Sequence, residues 1–160
     1  MIAIRQAVFP ADLADVLEIF TEYVKSPSVS LDFQGYDEEF ASLPGKYAPP
    51  DGRLLLAVEG QRVLGCAALR RVDDRIGEMK RLYVRPEARG LALGRQLAEA
   101  IVQEARLAGY AEIRLDVLHE FTAARRLYRA MGFVEAEPVS HNPVPGTAFL
   151  GLDLTTPPVQ

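Results

Sequence analysis

The chain has a single cysteine, Cys66, so no intramolecular disulfide can form. Cys66 stands in the apolar run from Val63 to Leu69, where a small buried thiol is the plain reading and a reactive nucleophile the sharper one. Histidine is also scarce, with two residues. His119 and His141 have no partner at a metal-ligand spacing, so no metal is expected and structural or surface roles are favoured. No stretch of about 20 apolar residues occurs, which excludes a membrane-spanning helix, and no N-terminal apolar segment has the length of a signal-peptide core. Cytoplasmic residence without a membrane partner is the expectation. Basic charge is not in excess either: 18 Lys and Arg stand against 22 Asp and Glu, a net charge of -4, which argues against a general nucleic-acid binder. What is present suits one globular domain, expected over 1–154 with a flexible tail at 155–160: 160 residues can bury a sizeable core.

Hydrophobic periodicity divides the chain into short elements. Ile2 to Val8 alternates and reads as a strand, and Pro10 opens a helix with Leu13, Val16, Leu17, Phe20 and Val24 on one face. Between Ser26 and Gly52 the pattern breaks into turns, with one short helix from Asp37 to Leu43. Leu54–Glu59 and Val63–Leu69 read as a hairpin around Gly60-Gln61, and Ile76 to Val84 as the next strand. A long helix places Leu93, Leu97, Ile101, Ala105 and Ala108 on one face and stops at Gly109. Glu112 to Leu118 follows as a strand, then a helix capped by Thr122 and ended by Gly132, then two strands near Phe133–Ala136 and Thr147–Leu154. Hairpins in the first half and crossover helices in the second predict a mixed sheet.

The run from Glu78 to Arg95 carries the chemistry. A strand leads through Arg85-Pro86-Glu87 into Arg89-Gly90-Leu91-Ala92-Leu93-Gly94, which opens the long helix. Small residues at a helix entrance let the backbone approach a ligand, and the first-turn amides have no intrahelical partners. The helix dipole adds positive charge at the same end, so a phosphate is the expected guest, with Arg89 and Arg95 flanking it. Glycines that merely allow tight strand-to-helix packing are the bland alternative. A Walker loop is disfavoured, because no Gly-Lys-Ser/Thr follows, and a dinucleotide fold would want the motif after the first strand.

Leu82-Tyr83-Val84-Arg85-Pro86-Glu87-Ala88-Arg89-Gly90-Leu91-Ala92-Leu93-Gly94 resembles the coenzyme-binding signature of the GNAT superfamily of acetyl-CoA-dependent N-acetyltransferases. Ala124, Leu127, Tyr128, Gly132 and Phe133 resemble that family's second block. The resemblance runs from Ile2 to about Leu154. It implies an α/β (α+β) fold: a mixed, mostly antiparallel central sheet of six to seven strands flanked by helices. It also implies acetyl-CoA as acyl donor, bound by the backbone of Leu82, Tyr83 and Val84, by Arg89, Gly90, Leu91, Ala92, Leu93, Gly94 and Arg95, and at Ala124. Two positions depart from the pattern. Ala92 stands where glycine is usual, tolerable if its φ is negative, and Phe121 stands where many members have asparagine.

The implied reaction moves an acetyl group to a primary amine of a small molecule or peptide by direct transfer in a ternary complex, without a metal. At pH 7, deprotonating a lysine-like amine costs roughly 4–5 kcal/mol, so a base or a water chain is wanted. Glu78 is the candidate, by analogy with the histone-acetylating branch, and strand parity puts it on one face with Lys80, Leu82 and Val84. A strand-end carboxylate paired with Lys80 or Arg75 is the structural alternative, and His119 is a back-up base. Tyr128 is placed by the resemblance at the departing sulfur, where hydrogen bonding is the safer role, against a plain core aromatic. Two lips are expected for the acceptor. One is the segment with Asp32, Asp37, Glu38 and Glu39 among aromatic residues, which suits a cationic amine or is an ordinary connector; the other is His141 to Gly146. A coenzyme-binding sensor with little turnover and a transferase using a larger acyl-CoA are the competing readings. Exposed edge strands are compatible with a homodimer.

Overall fold

The computed structural model describes residues 1–90 and 92–155. Seven strands form one sheet: β1 (Ala3–Gln6), β2 (Arg53–Glu59), β3 (Arg62–Arg71), β4 (Ile76–Val84), β5 (Glu112–Val117), β6 (Val134–Glu135) and β7 (Ala148–Asp153). Four α-helices accompany them: α1 (Leu13–Lys25), α2 (Tyr36–Ala41), α3 (Leu93–Leu107) and α4 (Thr122–Ala130). The strand order is β1-β2-β3-β4-β5-β7-β6, and among the described residues only the β4–β5 pair is parallel. The expected mixed, mostly antiparallel sheet is therefore present.

The central strands read as nearly continuous apolar runs because helices cover both of their faces. Leu55, Ala57, Ala67, Leu69 and Met79 pack with Leu97, Ile101 and Ala105 of α3. Leu54, Leu56, Cys66 and Ala68 pack with Val16, Ile19 and Phe20 of α1. Cys66 is fully buried and its Sγ contacts the Arg81 carbonyl at 3.2 Å, so the structural reading of this thiol holds. Burial pushes its pKa up to about 12, the opposite of what an activated nucleophile needs. Gly65 has no room for a side chain, since a Cβ there would meet Leu97 Cδ1 at 2.9 Å and the Tyr83 carbonyl at 3.0 Å. That glycine lets α3 sit close to the sheet.

Two start signals differ from the sequence reading. α1 begins at Leu13, three residues after Pro10, because Asp12 turns back to accept the Val8 amide at 2.7 Å and two bonds from Arg5 at 2.7 and 2.9 Å. Thr122 is the first helical residue of α4 rather than its cap; Phe121 holds the cap position and makes no side-chain cap bond.

Two irregularities open the sheet. β4 pairs with β5 only over Ile76–Glu78 against Glu112–Arg114, while β5 pairs along its whole length with β7. Beyond Glu78 the two strands diverge. On the other side of β4, Ala68 faces Lys80 but Cys66 faces Tyr83, so β4 carries one extra residue there. Arg81 absorbs it at φ 62°, in the left-handed region. This bulge corrects the parity expectation. Glu78 and Lys80 point to the α1 side with Ala68, whereas Leu82 and Val84 pack in the α3-side core.

Candidate active site

A cleft of about 590 Å³ begins where β4 leaves its bulge, bounded by Leu82, Tyr83 and Val84 on one side and by Phe121 and the first turn of α4 on the other. Its end wall is Ala88, Gly90, Ala92 and Gly94, so mostly backbone is presented there. A Cβ at Gly94 would find nothing nearer than Val84 Cγ2 at 3.9 Å, which leaves that wall open on the cleft side. Ala92 is the N-cap of α3 at φ 57°, ψ 20°. The left-handed region fits this turn, which is why glycine would be at ease here. The condition for tolerating the methyl group, a negative φ at Ala92, is not met, at a cost of order 1 kcal/mol. The first intrahelical bond runs from Gln96 N to Ala92 O at 3.1 Å, so the amides of Leu93 to Arg95 precede it, at the positive end of the helix dipole.

A second cavity, of about 50 Å³, lies at the β4–β5 divergence and shares Tyr23, Leu82, Phe121 and Ala124 with the cleft. Tyr128 lines it, is 5 % exposed and packs on Phe133 at 5.6 Å between ring centroids. Burial raises the Tyr128 pKa well above a free phenol's, with smaller contributions from Tyr23 and Asp116, so the hydroxyl keeps its proton. Asp116 stands on the β5 wall and accepts a bond from Asn142 Nδ2 at 2.9 Å. Arg81 is wholly buried. Its Nε and Nη2 meet the Glu39 carboxylate at 3.0 Å each, Nη1 bonds Gln34, and the guanidinium lies 5.3 Å from the centre of the Tyr23 ring.

The residues expected from sequence are distributed unevenly over these spaces. Leu82, Tyr83, Val84, Arg89, Gly90, Ala92, Leu93, Gly94 and Ala124 all line the cleft. Leu91 lies outside the described residues. Arg89 reaches back over the Tyr83 ring and donates to the Val84 carbonyl at 3.1 Å. Arg95 is turned to Glu99, 3.5 Å away, and does not line the cleft. Glu78 lines neither space. It is 1 % exposed, its Oε1 is 2.8 Å from Arg70 Nε, and its Oε2 accepts from Ser140 at 2.9 Å. Its environment is a satisfied ion pair. His119 is exposed beside Arg125 and lines neither space. The two expected lips do reach the cavity, but through Leu31, Gln34 and Asn142, and they touch where the Phe33 and His141 rings meet edge-on at 6.3 Å. Glu39, counted as part of an acidic lip, is buried against Arg81 instead.

Comparison with known proteins agrees with this architecture. The sequence profile of the Acetyltransferase (GNAT) family matches residues 15–133. The chain belongs to the GNAT family. An uncharacterised N-acetyltransferase of Schizosaccharomyces pombe is 40 % identical over 156 residues, covering 96 % of each chain. The structure of yncA from Salmonella typhimurium, determined with its cofactor acetyl-CoA, superposes with a TM-score of 0.67 at 25 % identity, over 96 % of this chain and 94 % of that one. A GNAT-family acetyltransferase from Staphylococcus aureus shares the fold at a TM-score of 0.80 and 20 % identity, over 96 % and 99 % of the two chains. As a GNAT protein the chain is an acyltransferase of a family that uses acetyl-CoA. Among the described residues no cluster of three or more His, Cys, Asp or Glu could hold a metal, and no helix is long and apolar enough to cross a membrane.

Sequence reading missed Lys80, Arg81 and Asp116 as cavity residues of this GNAT domain. Asp116 alternates with Leu115 and Val117 like any solvent-facing strand residue. Its exposure to the cavity follows from the early end of β4–β5 pairing, which no local pattern encodes. Lys80-Arg81 did carry a signal: two consecutive cations inside a strand that is apolar apart from Glu78, one of which has to be accommodated by a bulge.

Proposed function

We propose that this protein transfers an acetyl group from acetyl-CoA to an amine in a ternary complex. The reading is carried by one observation: the cleft and the small cavity meet at Leu82, Phe121 and Ala124, so a donor lying in one and an acceptor in the other are brought together at the end of β4. The small-residue wall fits the diphosphate of the coenzyme. The amides of Leu93 and Gly94, which line the cleft ahead of the first intrahelical bond, would donate to it, and the strand edge at Leu82–Val84 offers backbone groups to the pantetheine arm. The Val84 carbonyl, which accepts from Arg89, keeps a second lone pair for the pantetheine arm, and release of Arg89 would free its guanidinium for a phosphate oxygen.

The thioester supplies an activated acyl group, and the residues of the chain position and protonate. Tyr128, kept neutral by its burial, donates a hydrogen bond toward the sulfur as negative charge develops there. Glu78, held by Arg70 and Ser140, contributes to the shape of β4 rather than to proton removal in this reading. Asp116 is the carboxylate lining the cavity, placed to orient the amine while a proton passes to water. Alignment of the two substrates supplies much of the acceleration.

The test is amine-dependent release of free thiol from acetyl-CoA. Tyr128→Phe is expected to lower kcat about 100-fold while leaving acetyl-CoA affinity within a factor of a few. Unchanged kcat in that variant would return Tyr128 to the role of a core aromatic. Free thiol released equally with and without amines would contradict transfer.

A further inference from the structure

The cavity at the β4–β5 divergence is lined by a charge that the fold pairs only at long range. The Lys80 side chain is only 9 % exposed and lines this cavity, yet its ammonium donates no hydrogen bond among the described residues. Its nearest carboxylate oxygen, Glu78 Oε1, is 4.0 Å away, beyond hydrogen-bond reach, and already lies 2.8 Å from Arg70 Nε. Neighbouring Arg81 is the contrast, since Glu39 and Gln34 account for its guanidinium. Glu39 in turn is shared with Lys46 at 3.2 Å. The buried negative charges on this side are therefore committed to other cations. Burial lowers the Lys80 pKa, opposed by Glu78 and Asp116 and reinforced by Arg81 and Lys46. A half-buried ammonium that makes no hydrogen bond to the protein among the described residues is open to a ligand carboxylate, which would replace water there.

The opposite wall has the opposite sign. Asp116 spends one bond on Asn142 Nδ2, which leaves acceptor capacity toward the cavity. A cation on one wall and a carboxylate on the other, in a space of about 50 Å³ with room for a few water-sized groups, match the charged head of a zwitterion. A polyamine would set its second positive charge against Lys80. We propose that the acceptor is an α-amino acid, its carboxylate bound by Lys80 and its nitrogen held on the Asp116 side of the cavity. This names the acceptor class for the transferase reading above and rests on it. In the transfer a nitrogen–carbon bond forms as the carbon–sulfur bond breaks. Of the three ammonium protons one passes to water, one ends on the sulfur and one stays in the amide.

The experiment compares wild-type kcat/KM for a set of L-amino acids with that for their carboxamides and their decarboxylated amines. Loss of the charge-assisted bond is expected to lower kcat/KM about 10- to 100-fold in both neutral series. In Lys80→Met, KM for the amino acids rises and the acid-to-amide ratio falls toward one, while Lys80→Arg restores part of that ratio. Acetyl-CoA titration by calorimetry confirms that each variant is folded. If Lys80→Met does not fold, the wild-type series decides alone. Carboxamides or amines acetylated as well as the acids would overturn the inference, as would acetyl-CoA binding with no amino acid acetylated. Failure to bind acetyl-CoA would instead remove the transferase reading itself.

Discussion

The Arg81–Glu39 pair ties the segment after α1 to the bulge in β4, and breaking it should be costly. Arg81 has a side-chain exposure of 0 % and Glu39 of 5 %, with both guanidinium contacts at 3.0 Å. Removing one partner of such a buried pair costs about 3–5 kcal/mol, because the other charge is left without compensation. Glu39→Gln keeps one acceptor for Arg81, so the low end, about 3 kcal/mol, is expected, or a fall in Tm of roughly 6–12 °C for a domain of this size. Replacing both residues, Arg81→Met with Glu39→Leu, should recover most of that loss, because neither charge of the pair is left behind. The pair is also pH-sensitive. Burial raises the Glu39 pKa, but the Arg81 bond and the charges of Arg81 and Lys46 outweigh it, so the folded value lies below the ordinary one. Its contribution is therefore complete above the usual carboxylate range and fades as pH falls below it. Urea denaturation of the three proteins at pH 7 and pH 4 measures these differences. A loss under about 1 kcal/mol in Glu39→Gln would mark the pair as a solvent-screened contact and refute the buried geometry.

Other outcomes follow from local geometry. Ala92→Gly relieves the left-handed strain at the α3 N-cap but loosens the unfolded chain, so a net gain of about 0.5 kcal/mol in thermal unfolding is expected, with acetyl-CoA affinity kept or improved. A clear loss of stability would contradict the φ of 57°. Asp12 is held at a pKa of about 2, first by its bond from Arg5 and further by the Val8 amide, against the opposing effect of burial. Wild type should exceed Asp12→Asn in stability above pH ~4, and that advantage should shrink as pH falls toward 2, since the unfolded carboxyl titrates near 3.9. A difference independent of pH would show that Arg5 does not hold the charged form.

How much of this was legible in the sequence depends on distance along the chain. The order of strands and helices follows from apolar periodicity, and the α3 entrance from Gly90 and Gly94, because these signals are local. The positions of Lys80, Arg81 and Asp116 relative to the cavity depend on a bulge between β3 and β4 and on where β4 and β5 part. Both are long-range pairings, and a one-residue bulge reverses every face assignment after it. Glu78 shows the same limit. Its place on β4 was readable, but its satisfaction by Arg70 and Ser140 depends on β3 and on the segment before β7.

The most direct test of the account is calorimetric titration of the purified protein with acetyl-CoA, in parallel with a variant in which Gly94→Trp fills the open wall of the cleft. Saturable one-site binding in the wild type, lost in Gly94→Trp while the variant remains folded by circular dichroism, is the predicted result. No heat of binding at millimolar acetyl-CoA, or undiminished binding in the variant, would contradict the assignment of the α3 entrance as the coenzyme site.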